Sequence, residues 1–244
     1  MTRTALIQGG SGGIGRALSA VIRASGQFDQ LIVTARDPAT VGSDDPNTHA
    51  VALDLTSDTS IEKAAASVRQ LTDRLHLVIT TAGLLKDDAL EVRPEKKLTD
   101  LNRASLMQVF DVNCFGPFLW YKALYSCLRH REALTIATLS ARVSSIGDNR
   151  LGGWHSYRAS KTAQNMLTQN LSLELRRTNP QAIVVGLHPG TVDTDLSKPF
   201  QSGVSPDKLF SPEQSAQYLW SVLSALTVER SGQVIDWNDQ TITP

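Results

Sequence analysis

Tyr157 and Lys161 stand four residues apart at the start of a helix-forming run that continues through Arg177. On an α-helix, residues i and i+4 lie one above the other on the same face, so a phenol and an ammonium group share one surface. A phenol with an ordinary pKa of about 10 exchanges protons poorly at neutral pH. A cation one turn away favours the phenolate and draws that pKa toward the working range. The pair is a candidate general acid/base, or solvated helix surface if nothing else in the chain supplies a substrate. A second stretch with chemical content lies at the other end: Gly9-Gly10-Ser11-Gly12-Gly13-Ile14-Gly15. Glycine permits positive φ and close backbone approach, and a helix starting just after such a turn offers free N–H groups and a positive dipole end to a pyrophosphate. Gly9, Ser11, Gly13, Ile14 and Gly15 are the candidate contacts, against the alternative of a flexible glycine loop.

Three further positions bear on a nucleotide. A second apolar run, 30–36, ends in Ala35-Arg36, where an NAD site usually carries an acidic residue for the ribose 2′-OH; Arg suits a 2′-phosphate. That favours NADP(H), the alternatives being an exposed Arg36 or a role for the adjacent Asp37. A third run ends in Asp54-Leu55, where a carboxylate meets the adenine or caps the next helix. A fourth ends in Thr80-Thr81-Ala82-Gly83, whose small Ala82 and Gly83 let a ribose lie against the backbone. In a helix expected over 100–128, the N–H of residue 117 would bond the carbonyl of residue 113. Residue 117 is Pro, so the Asn113 carbonyl is released, either to hold a water or simply to mark a kink.

The elements that must position these residues follow from hydrophobic spacing. Strands are expected at 4–8, 30–36, 50–53, 77–83, 133–139, 183–187 and 233–236. They alternate with helices at 16–22, 60–74, 100–128, 157–177 and 212–226. This alternation implies an α/β fold, a doubly wound parallel sheet of about seven strands with helices on both faces, in a single domain. The cofactor half spans about 1–130 and the catalytic half about 131–244, with a lid at about 195–211 containing Pro199 and Pro206. Lys and Arg together number 24, as do Asp and Glu, with no basic run, so neither nucleic acid nor an anionic membrane is an expected partner. Cys114 and Cys127 form no disulfide framework and have no metal-ligand spacing, so no metal is expected and they read as reduced thiols. No leader precedes the first strand and no apolar run reaches the roughly 18 residues of a membrane span. A cytoplasmic location is expected.

With these residues in order, the chain resembles the short-chain dehydrogenases/reductases, within them the C-factor and sniffer-like carbonyl reductase branch. The resemblance rests on Gly9, Gly13 and Gly15, Asp54, Ala82-Gly83, Asn113, Tyr157 and Lys161, and Pro189-Gly190. The branch rests on the run from Arg142 to Trp154 and on Ile235-Asp236-Trp237. It implies a Rossmann fold and an NADPH-dependent reduction of a small-molecule aldehyde or ketone. Tyr157 would exchange a proton with the substrate oxygen, Lys161 would hold the nicotinamide ribose and lower the Tyr157 pKa, and the Asn113 carbonyl would hold a relay water. Pro189, Gly190, Val192 and Thr194 would embrace the nicotinamide. Two departures stand out. The family's Asn-Asn-Ala-Gly is Thr80-Thr81-Ala82-Gly83 here, and the substrate-orienting serine aligns with Ala141. Ser140 is the expected substitute and Ser144 the next. His155 and His188 flank the site as wall residues, with Trp154, Arg142 and Leu196 lining the pocket. The resemblance also implies a homodimer through the helices of Asn113 and Tyr157, for which Val109, Val112, Leu119 and Leu167 offer an apolar stripe that could equally be core.

Overall fold

The computed structural model describes residues 2–244. Among them the chain forms β1 (Thr4–Gln8), β2 (Gln30–Ala35), β3 (Thr48–Ala52), β4 (Leu77–Thr80), β5 (Leu134–Leu139), β6 (Ala182–His188), β7 (Thr191–Val192), β8 (Leu209–Phe210) and β9 (Val234–Asp236). All but β7 and β8 make one sheet in the order β3-β2-β1-β4-β5-β6-β9, with every neighbouring pair parallel. The helices are α1 (Gly13–Ser25), α2 (Asp58–Leu71), α3 (Arg103–Phe110), α4 (Gly116–Ala123), α5 (Tyr125–Leu128), α6 (His155–Arg176) and α7 (Pro212–Ala225).

A parallel sheet of this kind is covered on both faces, so its inner strands are largely apolar and alternate between two cores. On β5 and β6, Leu134, Ile136, Ala182 and Val184 point toward α2, α4 and α6, where Trp120 and Leu175 are fully buried. Ala137, Leu139, Ile183, Val185 and Leu187 point the other way, onto Leu18 and Ile22 of α1 and Leu219 and Val222 of α7. Local signals set the helix ends. Ser57 accepts from the Ser60 N–H at the start of α2, Asn102 caps α3, and Ser211 with Pro212 opens α7. Gly26 closes α1 at φ 62°, where a side chain would be strained.

One expectation needs correction. The helix expected over 100–128 is not one kinked rod. It begins at Arg103, opens into a π turn at Asp111–Phe115, and resumes as α4 and the short α5. Pro117 cannot donate, and Gly116 is driven so close to β3's exit that an added Cβ would stand 2.6 Å from the Leu55 carbonyl. The wider turn takes up the extra residue that a plain kink would leave unbonded. The segment expected as a lid contains 3-10 turns at Lys198–Gly203 and Pro206–Lys208, and β8 pairs with β7.

Candidate active site

The chain runs outward from β1 to β3, then returns across the sheet from β4 to β9, so the strand order reverses between β1 and β4. Ligands of open α/β sheets bind above the carboxyl ends of the strands at such a point. Gly9 leaves β1 at φ 87°, and a Cβ on it would lie 2.5 Å from the Thr81 hydroxyl. A Cβ on Gly15 would lie 2.2 Å from the Gly9 carbonyl. This cradle takes no side chains, and its exposed rim is Ser11, Gly12 and Gly13 at the N-terminus of α1, which suits a pyrophosphate. Across it stand Thr194, 3.0 Å from a Cβ built on Gly13, and Leu196, 3.3 Å from one built on Gly83. The structure thus gathers Gly9, Gly13, Gly15, Gly83 and Thr194 around one crevice, and the donor set fits a dinucleotide.

Other expected contacts divide. Arg36 is exposed and makes no ion pair among the described residues, while the Asp37 carboxylate accepts from the Ala39 N–H at 3.0 Å and so is committed to its own turn. Asp54 accepts from the Thr56 N–H and hydroxyl at 2.9 and 2.7 Å, and Ser57 caps α2 in its place. The Leu55 side chain belongs to the core, so only its main chain is left for a ligand. Ile14 packs against the α1 side of the sheet. Val192 is buried at the root of the lid, and the Pro189 carbonyl accepts from Ser215 at 2.9 Å. Gly190, at φ 80°, lies under Phe210 and Trp237, which a Cβ would meet at 2.6 and 3.2 Å. The departure at Thr80-Thr81 has its own compensation. Thr81 donates to the Gln8 carbonyl at 2.9 Å and lies 3.1 Å from that of Gly9, tying β4's exit to the glycine turn. Tyr121 donates to Thr80 at 2.8 Å and lies 2.7 Å from the Thr138 hydroxyl.

Tyr157 sits in the first turn of α6, edge-to-face with Trp154 at 6.2 Å, and its hydroxyl has no hydrogen-bond partner among the described residues. Lys161, 2% exposed, donates to the Leu139 carbonyl at 2.8 Å, and its Nζ lies 6.0 Å from the centre of the Tyr157 ring. Here the structure corrects the expected proton affinity. Burial pushes the phenol up to about 12 rather than down, and burial pushes Lys161 down to about 7. Both charged forms lose hydration, and the ammonium group turned toward Leu139 does not offset that for the phenolate. Asn113, fully buried in the π turn, accepts from the Leu84 N–H at 2.6 Å and donates to the Leu84 carbonyl at 2.9 Å and to Ser160 at 3.1 Å. Ser160 donates to the Tyr157 carbonyl at 2.8 Å, so Asn113 also supports the helix that carries the phenol.

Ser140 falls on the α6 face of β5 and donates to Asn165 at 2.7 Å, while Asn165 donates to Ser144 at 2.7 Å and Ser144 to the Ala141 carbonyl at 2.6 Å. Both hydroxyls are engaged by one amide, and neither bonds Tyr157. His188, at the end of β6, is pushed down to about 4 by burial and by the nearby Arg142 cation, so it is neutral at pH 7; its Nδ1 is sealed without a partner. Arg142 pairs with Asp236 at 3.0 Å and Asp148 at 3.3 Å. His155 opens α6, and Trp154 meets Phe200 of the lid at 5.1 Å. Sequence reasoning read Thr81 only as a departure and missed Asn165, Ser160 and Glu95; only Asn165, one turn beyond Lys161 on the same face, carried a spacing signal.

Comparison with known proteins agrees with this geometry. A family model, short chain dehydrogenase, matches residues 3–204. The chain is 30% identical over 232 residues to the 1-hydroxy-2-glutathionyl-2-methyl-3-butene dehydrogenase of Rhodococcus sp. (strain AD45), covering 94% of each chain. It is 33% identical over 141 residues to the C-signal protein of Myxococcus xanthus, covering 57% of this chain and 79% of that one. Among solved structures it is similar to an NADPH-bound carbonyl reductase from chicken fatty liver, with a TM-score of 0.86, 27% identity, and 100% and 99% of the two chains covered.

Proposed function

The chain belongs to the short-chain dehydrogenase family of oxidoreductases, and on that premise we propose that it reduces an aldehyde or ketone to an alcohol with NADPH. The observation that carries this reading is the Tyr157 hydroxyl, which has no hydrogen-bond partner among the described residues and stands one helical turn from the buried Lys161, whose Nζ is 6.0 Å from its ring. When bound, the nicotinamide supplies the hydride. Tyr157 then donates its proton to the substrate oxygen. Lys161 holds the ribose hydroxyls and, charged, favours the phenolate that this transfer leaves. The glycine turn and Thr194 bind the pyrophosphate end, and Pro189, Gly190 and Val192 form the wall behind the nicotinamide. The Asn113 carbonyl holds a water that returns protons to Lys161. The lid, through Phe200 on Trp154, excludes solvent over the reacting atoms. Tyr157→Phe is expected to abolish turnover with NADPH binding intact; retained turnover would falsify the assignment.

The exposed Arg36 and the committed Asp37 support NADPH over NADH. The affinity ratio is expected to exceed about tenfold, the effect of one charge-assisted contact. A second reading is oxidation of an alcohol with NAD, for which a ratio reversed toward NADH is the signature; the name of the Rhodococcus relative, a dehydrogenase, supports its direction alone. A third, a nucleotide-binding regulatory protein with little catalysis, draws on Ala141 and on the occupied hydroxyls of Ser140 and Ser144. Turnover of any aldehyde or diketone in a broad NADPH panel removes its motivation. We also propose a homodimer. Val109 and Val112 prove to be core, but Phe115, Leu119, Met166 and Leu173 are exposed beside a cavity of about 460 Å³ between α4 and α6 that includes Leu167. Sedimentation of the purified chain tests that assembly.

A further inference from the structure

Glu95 lies in the connection between β4 and α3, 4% exposed, and makes no ion pair with a lysine, arginine or histidine among the described residues. A carboxylate removed from water without a cation is costly unless hydrogen bonds replace the lost hydration. Its partners are all at one place. Oε2 accepts from the Ser156 N–H at 3.1 Å, Oε1 accepts from the Ser156 hydroxyl, and the Glu95 main-chain carbonyl accepts from the Trp154 N–H at 2.5 Å.

Those contacts answer a need of α6. The helix has no acidic residue in its first turn, and its N-cap residue, Trp154, makes no side-chain cap. The first N–H groups of a helix have no internal acceptor, and an uncapped first turn frays. The chain also enters α6 through three successive left-handed residues, Gly152, Gly153 and Trp154, at φ 63°, 65° and 50°. That conformation suits the glycines and strains the tryptophan. Tyr157 is the third residue of this helix, so the group expected to move the proton stands where the helix is least secured by its own bonds. Downstream, Ser160 and Asn113 hold it. Upstream, Glu95 bonds the first turn itself, while Arg158 reaches back to the Gly153 carbonyl at 3.0 Å and the Val143 carbonyl at 3.1 Å.

We propose, resting on the reductase reading, that Glu95 is a positioning residue for Tyr157: it caps α6 from a distant segment, fixes the strained Trp154, and so sets the phenol in the crevice. Its negative charge faces the positive end of the helix, which suits it electrostatically. Trp154 packs on both Tyr157 and Phe200, so the same grip also sets the ring against which the lid closes.

The test uses Glu95→Ala and Glu95→Gln, with active sites counted by NADPH titration. Glu95→Ala is expected to lower kcat per cofactor-binding site about tenfold or more, since small displacements of a reacting group are costly, with the Kd for NADPH within about twofold of wild type. Glu95→Gln keeps an acceptor for the Ser156 N–H and loses the charge, so its kcat should fall about threefold; being isosteric, it also serves if the alanine variant does not fold. A second readout is independent of turnover. The ultraviolet titration of the Tyr157 phenol, isolated by subtracting the Tyr157→Phe protein, should move to lower pH in Glu95→Ala as water reaches the loosened turn. A protein with lower Tm but an unchanged kcat per site and an unchanged phenol titration overturns the proposal, leaving Glu95 merely structural. If the wild type reduces no carbonyl, the reductase reading fails, while the phenol titration still decides whether Glu95 sets Tyr157.

Discussion

Replacing Lys161 with methionine should make the protein more stable near neutral pH while removing its activity. The side chain is 2% exposed and burial takes its pKa from 10.5 to about 7. At about 1.4 kcal/mol per pH unit, the charged form is disfavoured by up to about 5 kcal/mol; relaxation and water penetration around buried ions bring the expected cost to about 2–5 kcal/mol. The sign follows from proton counts. Between pH 7 and 10.5 the unfolded chain holds more protons at this lysine than the folded one, so wild-type stability rises with pH through that window. Below pH 7 the lysine is charged in both states and the native state carries the whole cost; above 10.5 it is neutral in both and the cost is gone. Methionine has similar length and no charge, and forfeits only the bond to the Leu139 carbonyl, a loss of about 1 kcal/mol. The net gain of about 1–4 kcal/mol, at about 2–4 °C per kcal/mol for a chain of this size, should make Lys161→Met melt about 2–16 °C above wild type at pH 6, and the gap should close by pH 10. Thermal melts by circular dichroism at pH steps across this range measure it. A gap independent of pH, or a variant less stable at pH 6, refutes the reasoning.

Three further outcomes follow from contacts described above. Gly15→Ala places a Cβ 2.2 Å from the Gly9 carbonyl, so the turn must move and NADPH affinity, followed by fluorescence enhancement, should fall about 100-fold or more with the Tm lowered by only a few degrees. Tyr121→Phe leaves the buried hydroxyls of Thr80 and Thr138 without their shared partner and should cost about 1–3 kcal/mol in urea unfolding, with kcat within about twofold. Asn165→Leu strips the partner from Ser140 and Ser144 together; it should cost a similar about 1–3 kcal/mol. If either serine then turns toward the substrate, KM should change more than the Kd for NADPH.

The sheet was legible because its strands are short apolar runs bounded by Gly, Pro, Asp and Asn, and because the glycine turn sits between a strand and a helix. The strand ends moved by a few residues, as at 48–52 against the expected 50–53, where His49 interrupts the apolar signal. Pro117 announced a break in helical bonding, but a missing donor does not say whether the helix bends or widens. That was settled by Gly116 pressing on Leu55, a contact between distant segments. The site divided the same way. Gly9, Gly15 and Lys161 were readable from local spacing, whereas Glu95 hides among charged neighbours in a stretch whose composition is that of any solvated connection. Its role depends on a partner 61 residues away. The proton affinity of Tyr157 was misjudged because spacing reports the neighbouring charge and not the loss of water.

Because β7 and β8 run parallel, the chain between them, residues 193–208, has to leave the crevice and come back to the same side before it can pair. That makes a detachable flap with a two-rung neck, its nearer root over Gly13 and its farther root leading directly into α7 through Ser211. None of the seven parallel strands lies inside it. Substrate preference is therefore expected to be transplantable: a flap from another member of the fold, joined at the same neck with Thr194 and Leu196 kept, would meet Trp154 with a different side chain in place of Phe200 and leave the dinucleotide cradle as it is.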